Sequence, residues 1–175
     1  MLIATIETQL GAMIAGSVDE GICMFEFSDR NNLEAELNGL KKYLRQEITK
    51  GENNHITNLR RQIDEYFAGT RKKFDIPLIT PGTEFQQKVW NELLNIPYGV
   101  TRSYLQQADA LKNPLAIRAV AKANGTNQIA IIIPCHRVIG SNGSLTGYAG
   151  GLHRKKWLLD HEKKHSGIPF DNTLF

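Results

Sequence analysis

The sequence predicts an α+β N-terminal domain, an antiparallel sheet with helices, followed by a mainly α-helical C-terminal domain that carries a helix-turn-helix and the candidate active-site cysteine. Three observations predict it. Short apolar runs separated by Gly or acidic residues open the chain, and two apolar stripes of helical period follow. Beyond the Pro81-Gly82 break the composition turns from charged to Ala-, Gly- and Ile-rich, and helix start and stop signals recur. The break divides the chain into domains 1–80 and 81–175.

Residues 2–6, 10–15 and 22–27 are short apolar segments and predict an antiparallel meander. Leu33, Leu37, Leu40 and Leu44 then recur at i, i+4, i+7 and i+11, and Ile56, Leu59, Ile63 and Phe67 repeat the pattern, so each set predicts a helix with one buried stripe. After the break, Thr83 with Gln86 forms a capping-box pattern for a helix carrying Phe85, Val89 and Leu93, which stops before Pro97-Tyr98-Gly99. Ser103 with Gln106 repeats the capping box. Asn113-Pro114 offers an N-cap with proline at the first helical position, and Asn124-Gly125 ends the second helix. Two short helices joined by a tight turn predict a helix-turn-helix, a geometry shared with helical hairpins that never touch DNA. At about 100° per residue, Ile117, Val120, Ala121 and Asn124 fall on one side of the second helix. Leu115, Arg118, Ala119, Lys122 and Ala123 fall on the other, a small and basic outward face that suits close approach to phosphates. The runs Arg71-Lys72-Lys73 and Arg154-Lys155-Lys156 read as solvated faces, with phosphate contact as the alternative.

Composition bounds the function classes. The chain has 175 residues, 41% of them hydrophobic and 22% charged, the make-up of an ordinary globular protein. Its longest apolar run, 129–134, is far short of the roughly 20 residues that cross a bilayer. Residues 1–5 lack the basic and apolar regions of a secretory signal, so a cytoplasmic location is expected. Two cysteines are too few for a disulfide framework. The net charge of +3 is compatible with nucleic acid and decides nothing by itself.

The chemistry centres on Cys135. It follows the β-branched run 129–133 and Pro134, which fixes the chain before it. A lone cysteine is most often an inert small residue, since only the thiolate reacts and a free thiol titrates at about 8.5. Here His136 and Arg137 are adjacent, and His161, Glu162 and His165 follow on a later helix, the ingredients of a base-and-orienter arrangement. A zinc site is disfavoured, because Cys135-His136 lacks ligand spacing and no second pair follows. A cysteine hydrolase stays open on these residues alone. Cys23 lies in an alternating apolar strand and reads as core. Gly140, Gly143, Gly147, Gly150 and Gly151 surround Tyr148 in a loop able to wrap a ligand, with the aromatic ring as a stacking surface for a flat heterocycle.

Pro134-Cys135-His136-Arg137-Val138 resembles the active-site motif of the O6-alkylguanine-DNA alkyltransferases, also called methylated-DNA-protein-cysteine methyltransferases. The similarity extends through Gly82-Thr83-Glu84-Phe85-Gln86, Val89-Trp90, Ile96-Pro97-Tyr98-Gly99, Ser103-Tyr104, Arg118-Ala119-Val120, Ala123-Asn124-Gly125, Tyr148-Ala149-Gly150-Gly151 and Leu158-Leu159 with Glu162, more than half of the chain. The first domain matches the family's ribonuclease-H-like domain in length and strand-helix order.

The resemblance implies direct-reversal DNA repair: irreversible, single-turnover transfer of an alkyl group from O6 of guanine in double-stranded DNA, with O4 of thymine left open. Cys135 would be nucleophile and acceptor, His136 the base acting through a water, Glu162 the residue orienting His136, and Asn127 the support of the active-site segment. Tyr104 would help rotate the nucleotide out of the stack and Arg118 would fill its place. Val138, Tyr148, Ala149 and Gly150 would border the base, with backbone donors stabilising charge on the departing oxygen. Ser103, Tyr104, Arg118, Ala119, Lys122 and Ala123 would meet the minor groove. No metal or organic cofactor is implied, and a monomer is expected. Ala121 stands where glycine is frequent, Gln128 where proline follows the asparagine, and Ala149 where some relatives carry serine, all of which bear on substrate range. The rival readings are a lesion sensor without alkyl transfer, whose relatives lack the cysteine, the hydrolase, and a regulatory DNA-binding protein.

Overall fold

Three antiparallel strands begin the chain in the structure, a computed structural model that describes residues 1–167. They are β1 (Leu2–Thr8), β2 (Gly11–Val18) and β3 (Gly21–Phe27). β4 (Thr49–Lys50) pairs in parallel with the start of β1, giving the order β3-β2-β1-β4. Strand alternation places Ile6, Met13 and Ala15 in the core, each at most 1% exposed. α1 (Leu33–Leu44) lays the Leu33, Leu37, Leu40 and Leu44 stripe against Met1, Val18, Cys23 and Met24. α2 (Asn54–Phe67) buries Ile56, Leu59, Ile63 and Phe67, and its N-cap Asn53 accepts from the Ile56 N–H at 3.1 Å.

The outer edge of β3 is covered in two places. Residue Ile22 bridges Leu78, with its N–H on the Pro77 carbonyl at 2.9 Å, and a Cβ at Gly21 would sit 2.4 Å from that carbonyl oxygen. Phe25 takes the rest of the edge. Its N–H donates to Gln128 O at 2.8 Å, and its carbonyl accepts from Ala130 N at 2.7 Å. An open edge invites foreign strands, and these short segments close it. Contacts therefore divide the chain into a first unit of Met1–Pro81 with Gln128–Ala130, and a second of Gly82–Asn127 with the chain from Ile131 onward. The final residues of the expected C-terminal domain, 168–175, lie outside the described residues.

The second unit contains α3 (Glu84–Leu93), β5 (Arg102–Ser103), α4 (Tyr104–Ala110), a 3-10 turn Pro114–Ala116, α5 (Ile117–Gly125), a 3-10 turn Cys135–Arg137, β6 (Val138–Ile139) and α6 (Leu152–His165). Both expected capping boxes form, Thr83 with Gln86 and Ser103 with Gln106. α4 and α5 make the helix-turn-helix, and no described helix is long and apolar enough to cross a membrane.

Three local expectations are corrected. Asn113 precedes Pro114 but makes no side-chain cap. The run 129–133 that leads to Cys135 is buried and turns, with Ile131 at φ 72°, a conformation that costs a β-branched residue strain. Ala123, assigned to the outward face of α5, is 3% exposed, and Ile117, assigned inward, is 37% exposed. The reason is that α5 packs against both α3 and α4, so more than one of its sides is covered. Arg154 and Lys155 are buried, not solvated, while Lys156 is exposed and pairs with Asp160 at 2.9 Å.

Candidate active site

Cys135, His136, Asn127 and Glu162 come together within the second unit. Pro134 leads into the Cys135 turn at φ −83° and ψ 60°, and the Cys135 N–H closes back onto Ile133 O at 2.8 Å. Asn127 Nδ2 donates to that same carbonyl at 2.9 Å and to Cys135 Sγ at 3.4 Å. One amide thus ties down the turn and meets the sulfur, and such a contact strengthens as sulfur gains negative charge. Cys135 is partly exposed, whereas burial pushes the Cys23 thiol up to about 11 and leaves it a protonated core residue.

His136 is fully buried, with Nε2 at 2.8 Å from Glu162 Oε1. Arg137 binds the same carboxylate through Nε to Oε2 at 2.8 Å and Nη2 to Oε1 at 3.0 Å, and its Nη1 reaches Ile96 O at 2.6 Å. The Gly99 N–H adds a further donor at 3.1 Å to Oε2. Gly99 lies at φ 77°, where a Cβ would stand 2.5 Å from Ser166 Cβ, so only glycine brings this N–H to the carboxylate. Burial opposes ionisation of Glu162, but His136 and the Arg137 guanidinium outweigh it and hold the carboxyl well below its usual range. For His136 burial is the largest influence and lowers the pKa against the pull of Glu162, aided by the Arg137 and Lys155 cations. The neutral imidazole must donate from Nε2, because an ionised carboxylate only accepts. Its lone pair is then on Nδ1, which is buried and has no hydrogen-bond partner among the described residues. A buried acceptor of this kind is where a bridging water is held.

A second cluster centres on Thr146 O. It accepts from Tyr104 OH at 3.1 Å and from Lys155 Nζ at 2.7 Å, and Lys155 also donates to Val138 O at 2.6 Å. Lys155 Nζ lies 5.9 Å from the centre of the Tyr104 ring. Burial lowers the Lys155 ammonium to about 8, opposed by Cys135, and burial raises the Tyr104 phenol. Tyr148 is half-buried, Ala149 exposed and Gly150 buried, with Gly150 O held by Arg154 Nη1 at 3.1 Å. Among the described residues no group of three or more His, Cys, Asp or Glu is placed to hold a metal ion.

Comparison with known proteins assigns the parentage. The 6-O-methylguanine DNA methyltransferase ribonuclease-like domain matches residues 1–80, and the DNA binding domain of the same family matches residues 84–164. The methylated-DNA–protein-cysteine methyltransferase of Methanosarcina acetivorans is 43% identical over 162 residues, 93% of this chain and 98% of that protein. This chain belongs to the methylated-DNA–protein-cysteine methyltransferase family. The Mycobacterium tuberculosis member is 58% identical over 114 residues, 65% of this chain and 68% of that protein. A crystal structure of Mycobacterium tuberculosis OGT in complex with DNA superposes with a TM-score of 0.82 at 39% identity, covering 94% of each chain. The sheet, antiparallel except for the added parallel strand β4, and its helices match the family's ribonuclease-like domain, and the helical remainder its DNA-binding domain.

The family's other expected residues are placed as follows. Arg118, Ala119 and Lys122 are exposed on α5, whereas Ala123 is buried and its carbonyl accepts from Trp90 Nε1 at 2.9 Å. Ser103 caps α4, its Oγ accepting from Gln106 N at 3.1 Å. Both backbone groups of Val138 have internal partners, the N–H on Cys135 O and the carbonyl on Lys155. Sequence reasoning missed Lys155 and placed Arg137 beside the thiol, not on Glu162. The signal for Lys155 was present: Lys155, Leu158, Leu159 and Glu162 fall at i, i+3, i+4 and i+7 of α6, one stripe that the structure buries throughout.

Proposed function

We propose that Cys135 is the acceptor in an irreversible transfer of an alkyl group from O6 of guanine in duplex DNA. The observation that carries this reading is the partly exposed thiol beside a buried histidine whose Nε2 is fixed by an ionised carboxylate. His136 Nδ1 takes the thiol proton through a water, and sulfur attacks the alkyl carbon in line. The S–C bond forms as the C–O6 bond breaks, the electron pair passes to the purine, and the thiol proton ends on guanine. Lys155 and Tyr104 set donors around Thr146 at the edge of the site, and Arg118 on α5 is the side chain that takes the place of the extruded nucleotide. Extrusion costs a few kcal/mol, less for a mispaired base, so a lesion is favoured before the chemistry begins. A thioether is a poor leaving group, which makes each molecule act once.

Intact-protein mass spectrometry with duplex DNA bearing one O6-methylguanine tests the assignment. Wild type gains a single methyl that maps to Cys135 and the DNA returns to guanine, while Cys135→Ala gains none. If both proteins bind the lesion and neither gains mass, the chain is a sensor and the acceptor assignment is wrong.

A further inference from the structure

Leu115 is 95% exposed, the most solvated large apolar side chain among the described residues. Single exposed leucines are ordinary on protein surfaces. Its position is not. It stands in the Pro114–Ala116 turn between the two helices of the helix-turn-helix, with half-exposed Ile117 beside it at 37%. Arg118, Ala119 and Lys122 are exposed on α5, which starts two residues after Leu115, so an exposed leucine, arginine and lysine follow one another from the turn into the helix. Lys112, exposed and left-handed at φ 55°, adds a third cation just before the turn. No Asp or Glu occurs anywhere in 110–127.

An apolar tip flanked by cations and free of acids matches the minor groove of a duplex, with phosphates on its rims and deoxyribose carbons on its walls. Proteins that work there insert Leu, Ile, Met, Phe or Pro at base steps, partly unstacking them. We propose that Leu115 is an apolar wedge that enters the minor groove next to the extruded nucleotide and holds the adjacent step open. The inference rests on the reading of the chain as an alkyltransferase acting on duplex DNA. Arg118, three residues further on in α5, fills the gap left by the base, and Leu115 packs against the step beside it. The wedge recovers in the complex the apolar area that free Leu115 leaves in water. It adds no base-specific hydrogen bond, so it favours opening at any sequence.

The test compares methyl transfer from duplex O6-methylguanine with transfer from O6-methylguanine as the free base, both read by intact mass. A fully solvated side chain can be replaced with little effect on folding. For Leu115→Ser the ratio of duplex rate to free-base rate falls about tenfold, and Leu115→Met restores most of it, as expected from the loss and return of one buried apolar side chain. An unchanged ratio in the serine variant overturns the wedge. So does an unchanged ratio accompanied by loss of wild-type binding to anionic phospholipid vesicles, which assigns the leucine to a lipid surface. A wild type that accepts no methyl from duplex DNA refutes the underlying function instead, and the two failures are therefore separable.

Discussion

Glu162 is the residue on which the Cys135–Arg137 turn depends, because its buried carboxylate accepts from His136, from two nitrogens of Arg137 and from the half-buried Gly99 N–H. Removing one partner of a buried ion pair leaves the other charge without compensation. Glu162→Ala is expected to cost about 3–5 kcal/mol of unfolding free energy, measured by urea titration. A cost under about 1 kcal/mol would show that Arg137 finds water or another partner. Glu162→Gln keeps the shape but no longer holds His136 by a charge, and a misdirected base lowers methyl transfer by about 10²-fold, the lower range for a proton-transfer residue. Cys135, His136 and Glu162 were legible because the pentapeptide motif and the acidic residue on a later helix can be seen as letters. Arg137 was not legible as a partner of Glu162. Adjacent to a cysteine, it reads as a charge acting on the thiol, and only the folded path of α6 turns it toward the carboxylate.

At the scale of elements, the orientation of α5 is set by a buried pair of amides. Gln107 on α4 donates to Asn124 Oδ1 at 3.2 Å, and Asn124 Nδ2 donates back to Gln107 Oε1 at 2.7 Å. Trp90 on α3 and Gln86 at its first turn hold the end of α5 through Ala123 O and Thr126 Oγ1. Gln107→Leu strands the Asn124 amide and should cost about 1–3 kcal/mol, the penalty of a buried unsatisfied polar group. Gln107→Leu combined with Asn124→Leu should cost less than the sum of the two single changes, because neither amide is then left alone. Strict additivity in that cycle would mean that the pair is not coupled. The capping boxes and the helix stripes could be read in advance, since they are short-range patterns. The amide pair could not, because Asn124 also reads as the end of a helix beside Gly125.

For the whole molecule, the titration of the first unit offers the clearest signature. Glu26 on β3 is 2% exposed, and Arg30 pairs with it and with Glu36 of α1, the latter at 2.8 Å. One guanidinium serves two carboxylates. Burial raises Glu26 from 4.5 to about 7 despite Arg30, and burial raises Glu36 as well. A carboxyl raised on folding keeps its proton where the unfolded chain has lost it, so its contribution to stability declines as pH climbs from about 4.5 to about 7 and is flat above. His136 acts in the opposite sense: lowered on folding, it costs stability as pH falls below its ordinary 6.5. Glu26→Gln removes the Glu26 contribution and leaves that of His136 in place. The stability of Glu26→Gln minus that of wild type should therefore grow between pH 5 and pH 8 in parallel urea titrations, and a constant difference would refute the raised carboxyl.

The sequence by itself determined the three-strand meander, the helix stripes, the two capping boxes, the candidate residues around Cys135 and the family resemblance. Those features are written locally: in periods of two and 3.6, in caps three residues apart, and in a contiguous motif around Cys135. Only the tertiary structure decided which sides of α5 are covered, that Lys155 lies buried against Val138 and Thr146, and that Gln128–Ala130 joins the sheet of the first unit through Phe25. Each of these depends on a partner far away in the chain, and burial is a property of the pair of surfaces that meet, which no single segment contains.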